Sequence, residues 1–314
     1  MLLSAMLFLV GIFFLVRGGD IFVDSSVKLS RYLGLSQVLV GATIVSMATT
    51  LPELIVSSTA AIHGETTMSV GNAIGSIICN TGFVLAISSI LGNIVIKDEH
   101  FKLKSITLIS YIIILITCSI DGIIKEFEAI ILLGLMLFYL YNNVKSIADG
   151  TKIKMISKNT NKNSIDMRKI IIIFILGLIL IMVGSNLVVH NGVKIAEYLK
   201  VPTAVISLTI IAMGTSLPEL VTVITSLLKG NEEIGLGNII GANILNISLV
   251  IGTSGMFSDL IIIPQNLTLD LPVSLLLCIL LVVPSLFIKR VSKLQGYILL
   301  SIYISYITYI VQIV

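Results

Sequence analysis

The chain carries an internal duplication with an offset of 166 residues. The segment TIVSMATTLPE at 43–53 returns as TIIAMGTSLPE at 209–219. The alignment of 43–88 with 209–254 needs no gap, and 18 of its 46 positions are identical. Two copies of one sequence must adopt similar structures, so the chain is predicted to consist of two related halves.

Composition places both halves in a membrane. Apolar residues make up 56% of the 314 residues, charged residues 12%, and the mean hydropathy is +1.08. A soluble protein of this length could not bury so much apolar surface, so the solvent must be lipid. The net charge of +3 arises from basic residues dispersed in short loops, and we expect no nucleic-acid partner. The cysteines and histidines lack metal-ligand spacing, and we expect no cofactor.

Ten segments approach the roughly 20 apolar residues that cross a bilayer. Their limits are 1–24, 36–62, 68–92, 104–121, 127–145, 169–190, 202–229, 233–258, 268–288 and 295–314. The sequence therefore predicts an all-α polytopic membrane protein with ten transmembrane helices. A first five-helix repeat would occupy 1–145 and a second 169–314, joined by a basic linker at 146–168.

The basic residues predict the orientation. With the linker in the cytoplasm, seventeen Lys and Arg residues fall on the inner side and three on the outer side. Cytoplasmic loops carry an excess of these residues, so we expect a multi-pass protein of the cell membrane with both termini extracellular. An odd number of spans per repeat makes the two repeats inverted, related by an axis in the membrane plane.

Each repeat places a Pro-Glu pair in the middle of an apolar span, at Glu53 and Glu219. Proline removes a backbone donor and disturbs the preceding turn, so carbonyls around 46–49 and 212–215 are predicted to be released. A plain proline kink is the structural alternative. Two matched pairs favour a broken helix instead, and in lipid such backbone persists only where it lines a cavity or an ion site.

The two glutamates need a counter-charge or a proton. An ionisable group at mid-bilayer is costly, and no Lys or Arg occurs within these spans to pair with it. Protonation and a bound cation remain. Oxygen ligands suit Na⁺, Ca²⁺ and Mg²⁺, and two opposed carboxylates neutralise one divalent ion. Because Mg²⁺ sheds its water reluctantly, a dry carboxylate cage favours Ca²⁺.

Small polar residues beside the glutamates are further candidate ligands. They comprise Thr49, Thr50, Thr215 and Ser216 at the predicted breaks, and Ser76, Asn80 and Asn246 on one stripe of the following spans. Hydrogen bonding to their own helix or to a neighbouring helix is the alternative role.

The paired motifs ATTLPE, ending at Glu53, and GTSLPE, ending at Glu219, resemble the α-repeats of the cation/Ca²⁺ exchanger superfamily. The paired GN-x-IG motifs resemble them too, and the whole chain looks like the prokaryotic sodium/calcium exchangers. This resemblance implies antiport of Na⁺ and Ca²⁺ by alternating access, with spans 1 and 6 sliding over the rest.

The resemblance also implies a role for each ligand. A central Ca²⁺ would be held by the two glutamates with Thr49 and Thr215. Sodium sites would flank it, and a middle position would be lined by Asn80 and Asn246. The implied sodium ligands are Ser76, the same glutamates and the carbonyls of Ser46 and Ala212.

The sequence departs from the family pattern in three places. Ala48 replaces a glycine, Ala242 stands where a serine hydroxyl is usual, and Asn246 occupies a position that is often aspartate. The missing hydroxyl weakens one implied sodium site. The missing aspartate leaves two carboxylates in the cluster and argues against potassium dependence.

Other functions compete with Na⁺/Ca²⁺ antiport. The nearest is H⁺/Ca²⁺ exchange through the same glutamates. A channel fits duplicated broken helices less well. We expect no enzyme, because the sequence lacks a nucleophile with a base, paired aspartates or HExxH. The expected partners are Ca²⁺, Na⁺ and the lipid bilayer, and the expected state is a monomer.

Overall fold

The structure, a computed structural model, describes residues 2–92, 94–97, 100–157, 167–199 and 214–313. Its helices are α1 (Leu2–Leu33), α2 (Gln37–Thr49), α3 (Leu51–Ile62), α4 (Thr66–Leu91), α5 (His100–Ser119), α6 (Glu126–Ser157), α7 (Met167–Tyr198), α8 (Leu217–Leu228), α9 (Glu232–Gly255), α10 (Asn266–Ile288) and α11 (Lys293–Ile313). The described residues also form four two-residue strands in the connections between helices: β1 (Ile94–Val95), β2 (Ile123–Ile124), β3 (Leu260–Ile261) and β4 (Arg290–Val291).

Eight of the described helices are long and apolar enough to cross a membrane. The bent pair α2 and α3 adds a ninth candidate. The predicted span at 202–229 is represented by the shorter α8, since residues 200–213 lie outside the described part. The prediction of a helical, multi-pass membrane protein is therefore confirmed. Three helices continue well beyond the ends of their predicted spans: α1 to Leu33, α6 to Ser157 and α7 to Tyr198.

The short strands connect the two halves of the chain, a feature that the all-α prediction did not include. β1 pairs antiparallel with β4, so that Ile94 lies opposite Val291. β2 pairs antiparallel with β3, so that Ile124 lies opposite Leu260. β1 and β2 belong to the first half of the chain, and β3 and β4 belong to the second. Each half therefore contributes one strand to each pair.

Side-chain contacts also connect the two halves of the chain at each end of the helix bundle. At the β1–β4 end, Lys229 Nζ lies 2.8 Å from Oδ1 of Asp24, which lies within α1. At the β2–β3 end, the Ser258 hydroxyl donates to the carbonyl of Ala61, at 2.9 Å. The two halves of the chain are therefore in contact at both ends of the helix bundle.

Helices α1 and α7 pack with their backbones in contact. A Cβ atom at Gly18 would lie 2.8 Å from the backbone nitrogen of Ile181, and one at Gly177 would lie 2.7 Å from that of Phe22. The rings of Phe22 and Phe174 lie beside this contact, with centroids 4.6 Å apart. Small residues permit such close approach between helices in lipid.

Helix α9 lies at the centre of the bundle. Every residue from Ile234 to Leu245 is buried. Gly237 and Gly241 contact the backbone of α2: a Cβ atom at Gly241 would lie 2.7 Å from the Cα of Ala42. The GN-x-IG motif of the second repeat therefore packs on the span that carries the first glutamate.

Gly177→Ala should destabilise the protein by about 1–3 kcal/mol, because the added methyl group must displace the backbone of α1. Gly134→Ala is the matched control, since Gly134 is exposed on α6 and no described atom lies within 4 Å of its Cβ position. Thermal unfolding in detergent measures both. Equal melting temperatures for the two variants would contradict the close packing of α1 and α7.

Candidate functional site

The first Pro-Glu pair lies just after a break in its span. Helices α2 and α3 are bent by 43° relative to each other, and Thr50 occupies the break. Pro52 and Glu53 lie in the first turn of α3, where a proline is tolerated and a carboxylate interacts favourably with the helix dipole. In the second repeat, Glu219 lies in the first turn of α8 in the same way.

The predicted release of the Ser46 carbonyl is only partly correct. That carbonyl accepts the regular helical bond from the Thr50 backbone nitrogen at 2.9 Å, and the Thr49 hydroxyl lies 3.4 Å from it. The carbonyl that loses its usual donor is that of Ala48, because Pro52 lies four residues later and has no N–H group. The prediction for the Ala212 carbonyl lies outside the described residues.

Both glutamates are buried and short of donors. Both carboxylate oxygens of Glu53 and one of Glu219 have no hydrogen-bond partner. In the described part of the chain, ion pairs form at Asp20, Asp24 and Asp121 but at neither glutamate. Buried carboxylates without donors or a counter-charge require a cation or a proton.

Two asparagines pair with the candidate threonines across the repeats. The Thr49 hydroxyl donates to Asn238 Oδ1 at 3.0 Å, and the Thr215 hydroxyl lies 3.5 Å from Asn72 Oδ1. Asn72 also donates to the carbonyl of Glu53 at 3.4 Å. The two threonines are thus fixed by equivalent partners in the other half.

Asn80 and Asn246 each begin a π-helical turn, at Asn80–Leu85 and Asn246–Ile251. Both side chains are buried. Asn80 Oδ1 and both polar atoms of Asn246 have no hydrogen-bond partner. A π-bulge widens a helix locally and is frequent at functional sites. Buried amide oxygens without a partner are suitable ligands for a hard cation.

The other predicted ligands are also enclosed. Ser46, Thr50, Ser76 and Ser216 are buried, and the hydroxyls of Thr50 and Ser216 have no partner. The Ser46 hydroxyl instead donates to the Thr43 carbonyl at 3.2 Å, within its own helix.

Sequence reasoning assigned no site role to three asparagines. Asn72 and Asn238 occupy equivalent positions of the GN-x-IG motif. Their repetition was the available signal. Asn243 accepts a hydrogen bond from Asn80 at 3.2 Å. The internal repeat could not identify Asn243, because Ile77 stands at the equivalent position of the first repeat.

Comparison with known families identifies the family of the chain. Residues 3–145 and 169–312 match the family model described as sodium/calcium exchanger protein. The chain belongs to the sodium/calcium exchanger family. The resemblance inferred from the motifs is thus confirmed, and the family consists of transporters rather than enzymes.

Individual relatives cover nearly the whole chain. An uncharacterized membrane protein of Methanocaldococcus jannaschii is 32% identical, over 95% of this chain and 94% of its own length. The sodium/calcium exchanger MaX1 of Methanosarcina acetivorans is 27% identical, over 96% and 97%. The structure of the sodium-calcium exchanger NCX_Mj, soaked with Na⁺ and Ca²⁺, has a TM-score of 0.83 and 30% identity, over 98% of both chains.

Thr49→Val should weaken Ca²⁺ binding by about tenfold, because it removes a candidate ligand and leaves Asn238 without its donor. Ca²⁺ titration in detergent measures the effect. Thr107→Val is the control, since the exposed Thr107 hydroxyl donates only to the Leu103 carbonyl of its own helix. Wild-type affinity in Thr49→Val would remove Thr49 from the site.

Proposed function

We propose that this protein exchanges Na⁺ for Ca²⁺ across the membrane by alternating access, with the ions bound at Glu53 and Glu219. The observation that carries the proposal is a pair of buried carboxylates, at equivalent helix starts, with three oxygens that lack donors. A buried anion without a partner is strongly unfavourable, so a cation must occupy this position in the transport cycle.

Charge favours Ca²⁺ as one of the two ions. The two carboxylates carry about two negative charges, which one Ca²⁺ neutralises. Thr49, Thr215, Asn80 and Asn246 would supply neutral oxygens around it. Ser76, Thr50, Ser216 and the carbonyls of Ser46 and Ala212 would serve flanking Na⁺ ions. Because the glutamates are shared, Na⁺ and Ca²⁺ cannot bind together at full occupancy, and this competition produces antiport.

The comparisons support the choice of ions. Two similar proteins bear the name sodium/calcium exchanger, and the NCX_Mj structure was obtained with Na⁺ and Ca²⁺. The proton is the alternative coupling ion, since the same carboxylates could bind it in place of Na⁺. Within this proposal the chain needs no second copy, because both glutamates belong to one chain, and we expect a monomer.

Strand pairing supports ten spans in two inverted repeats. β2 and β3 must lie on one side of the membrane, so an even number of crossings separates them. Between them the structure describes the three long helices α6, α7 and α9. A fourth crossing is required, and only the segment that ends in α8 can provide it. Residues 1–145 and 169–314 then each contain five spans, which agrees with the two segments of the family match.

Glu53→Gln and Glu219→Gln should each reduce Ca²⁺ flux by about 100-fold or more, because one lost charge leaves the divalent ion uncompensated. Asp121→Asn, in an exposed loop, should retain wild-type flux. The assay is Ca²⁺ uptake into proteoliposomes under an imposed Na⁺ gradient. Robust flux in either Gln variant would reject the site. Uptake by the wild type that follows an imposed H⁺ gradient and ignores Na⁺ would select the proton as coupling ion.

The orientation is tested by labelling. Lys162→Cys should react with an impermeant thiol reagent only from the cytoplasmic side, and Lys125→Cys only from outside, because basic residues concentrate in the loops on the linker side. The protein without an added cysteine is the control for background labelling, since Cys79 and Cys278 are buried and Cys118 is partly buried. External labelling of Lys162→Cys would overturn the orientation.

A further inference from the structure

We propose that Cys278, Thr81 and Asn243 form a hydrogen-bonded relay that turns the amide oxygen of Asn80 towards the bound cation. This inference rests on the proposed function and adds three positioning residues to it. The relay joins three spans, since Thr81 and Asn80 lie on α4, Asn243 on α9 and Cys278 on α10.

The contacts are continuous. Asn80 Nδ2 donates to Asn243 Oδ1 at 3.2 Å, and Asn243 Nδ2 donates to Thr81 Oγ1 at 2.8 Å. Thr81 Oγ1 lies 3.8 Å from Cys278 Sγ. All four side chains are buried. The free end of this chain is Asn80 Oδ1, which has no hydrogen-bond partner.

The direction of the hydrogen bonds in the relay determines which atom of the Asn80 amide faces the cation. The Thr81 hydroxyl has one proton. When that proton is donated to the Cys278 sulfur, the Thr81 oxygen can only accept from Asn243 Nδ2. Asn243 Oδ1 then faces Asn80 Nδ2, and the oxygen of Asn80 remains as the free ligand. If Thr81 instead donated to Asn243, both amides would turn over, and Asn80 would present an NH₂ group that repels cations.

The second repeat lacks this device. At the offset of 166 residues, Ile77 corresponds to Asn243 and Ile247 corresponds to Thr81. Accordingly, both polar atoms of Asn246 are without a partner. Asn80 is thus a preorganised ligand, whereas Asn246 must be oriented by the cation itself. The two halves of the site therefore contribute unequally to ion affinity.

Thr81→Val keeps the shape of the side chain and removes the hydroxyl. It should raise the half-saturating concentrations of Na⁺ and Ca²⁺ by about tenfold, the lower end of the range for groups that orient a metal ligand, with an unchanged maximal transport rate. Thr81→Ser restores the hydroxyl and should restore the affinity. Cys278→Ala removes the acceptor and should weaken binding in the same way.

Ser88→Ala is the matched control, because it deletes another buried hydroxyl of α4 that donates only to the Val84 carbonyl. It should leave both half-saturating concentrations at their wild-type values. Ion-dependent thermal stabilisation in detergent gives binding independently of transport, and Cys278→Ala carries the test if Thr81→Val does not fold.

Wild-type affinity in either folded relay variant would overturn the relay, as would an equal loss of affinity in Ser88→Ala. Failure of the proposed function has a different signature. A wild-type protein that moves no Ca²⁺ under any Na⁺ gradient would reject antiport, whereas the relay would still be judged by the binding of Na⁺ and Ca²⁺ to the variants.

Discussion

Two buried carboxylates set the conditions that the rest of this structure must satisfy. Glu53 and Glu219 are buried inside the protein, and described protein groups leave three of their four carboxylate oxygens without a donor. Their helices begin immediately before them, which directs backbone N–H groups towards the charges. The buried α9 packs against the broken α2–α3 span that carries Glu53. In the proposed function, a cation or a proton completes this cluster.

The duplication supplies two buried carboxylates at equivalent helix starts. The Thr49 hydroxyl donates to Asn238, and the Thr215 hydroxyl approaches Asn72, so each repeat positions a hydroxyl of the other. The strands follow the same rule, because each pair takes one strand from each half. Because these contacts join residues of one half to residues of the other, both halves are needed to build the proposed site. This requirement also explains why the motif residues recur at a constant offset.

Repeated motifs allowed the glutamates, the flanking hydroxyls and Asn80 and Asn246 to be predicted from the sequence. Tertiary partners could not be predicted, because the bond from Asn80 to Asn243 joins residues 163 positions apart. The π-helical turns depend on packing against neighbouring helices, and residue propensity does not encode them. The predicted release of carbonyls at 46–49 was only partly correct for a local reason: proline frees the carbonyl four residues before it, which is that of Ala48 rather than Ser46.

A third buried carboxylate shows what distinguishes the proposed site. Asp270 begins the regular part of α10 and is as enclosed as a ligand would be. However, Asn266 donates to its Oδ2 at 2.8 Å, and the hydroxyl of Tyr306 donates to its Oδ1 at 3.0 Å. Neutral donors thus satisfy Asp270, and it requires no cation. Burial of a carboxylate alone does not make an ion site. The unsatisfied oxygens of Glu53 are what set the proposed site apart, because only a cation or a proton could complete their coordination.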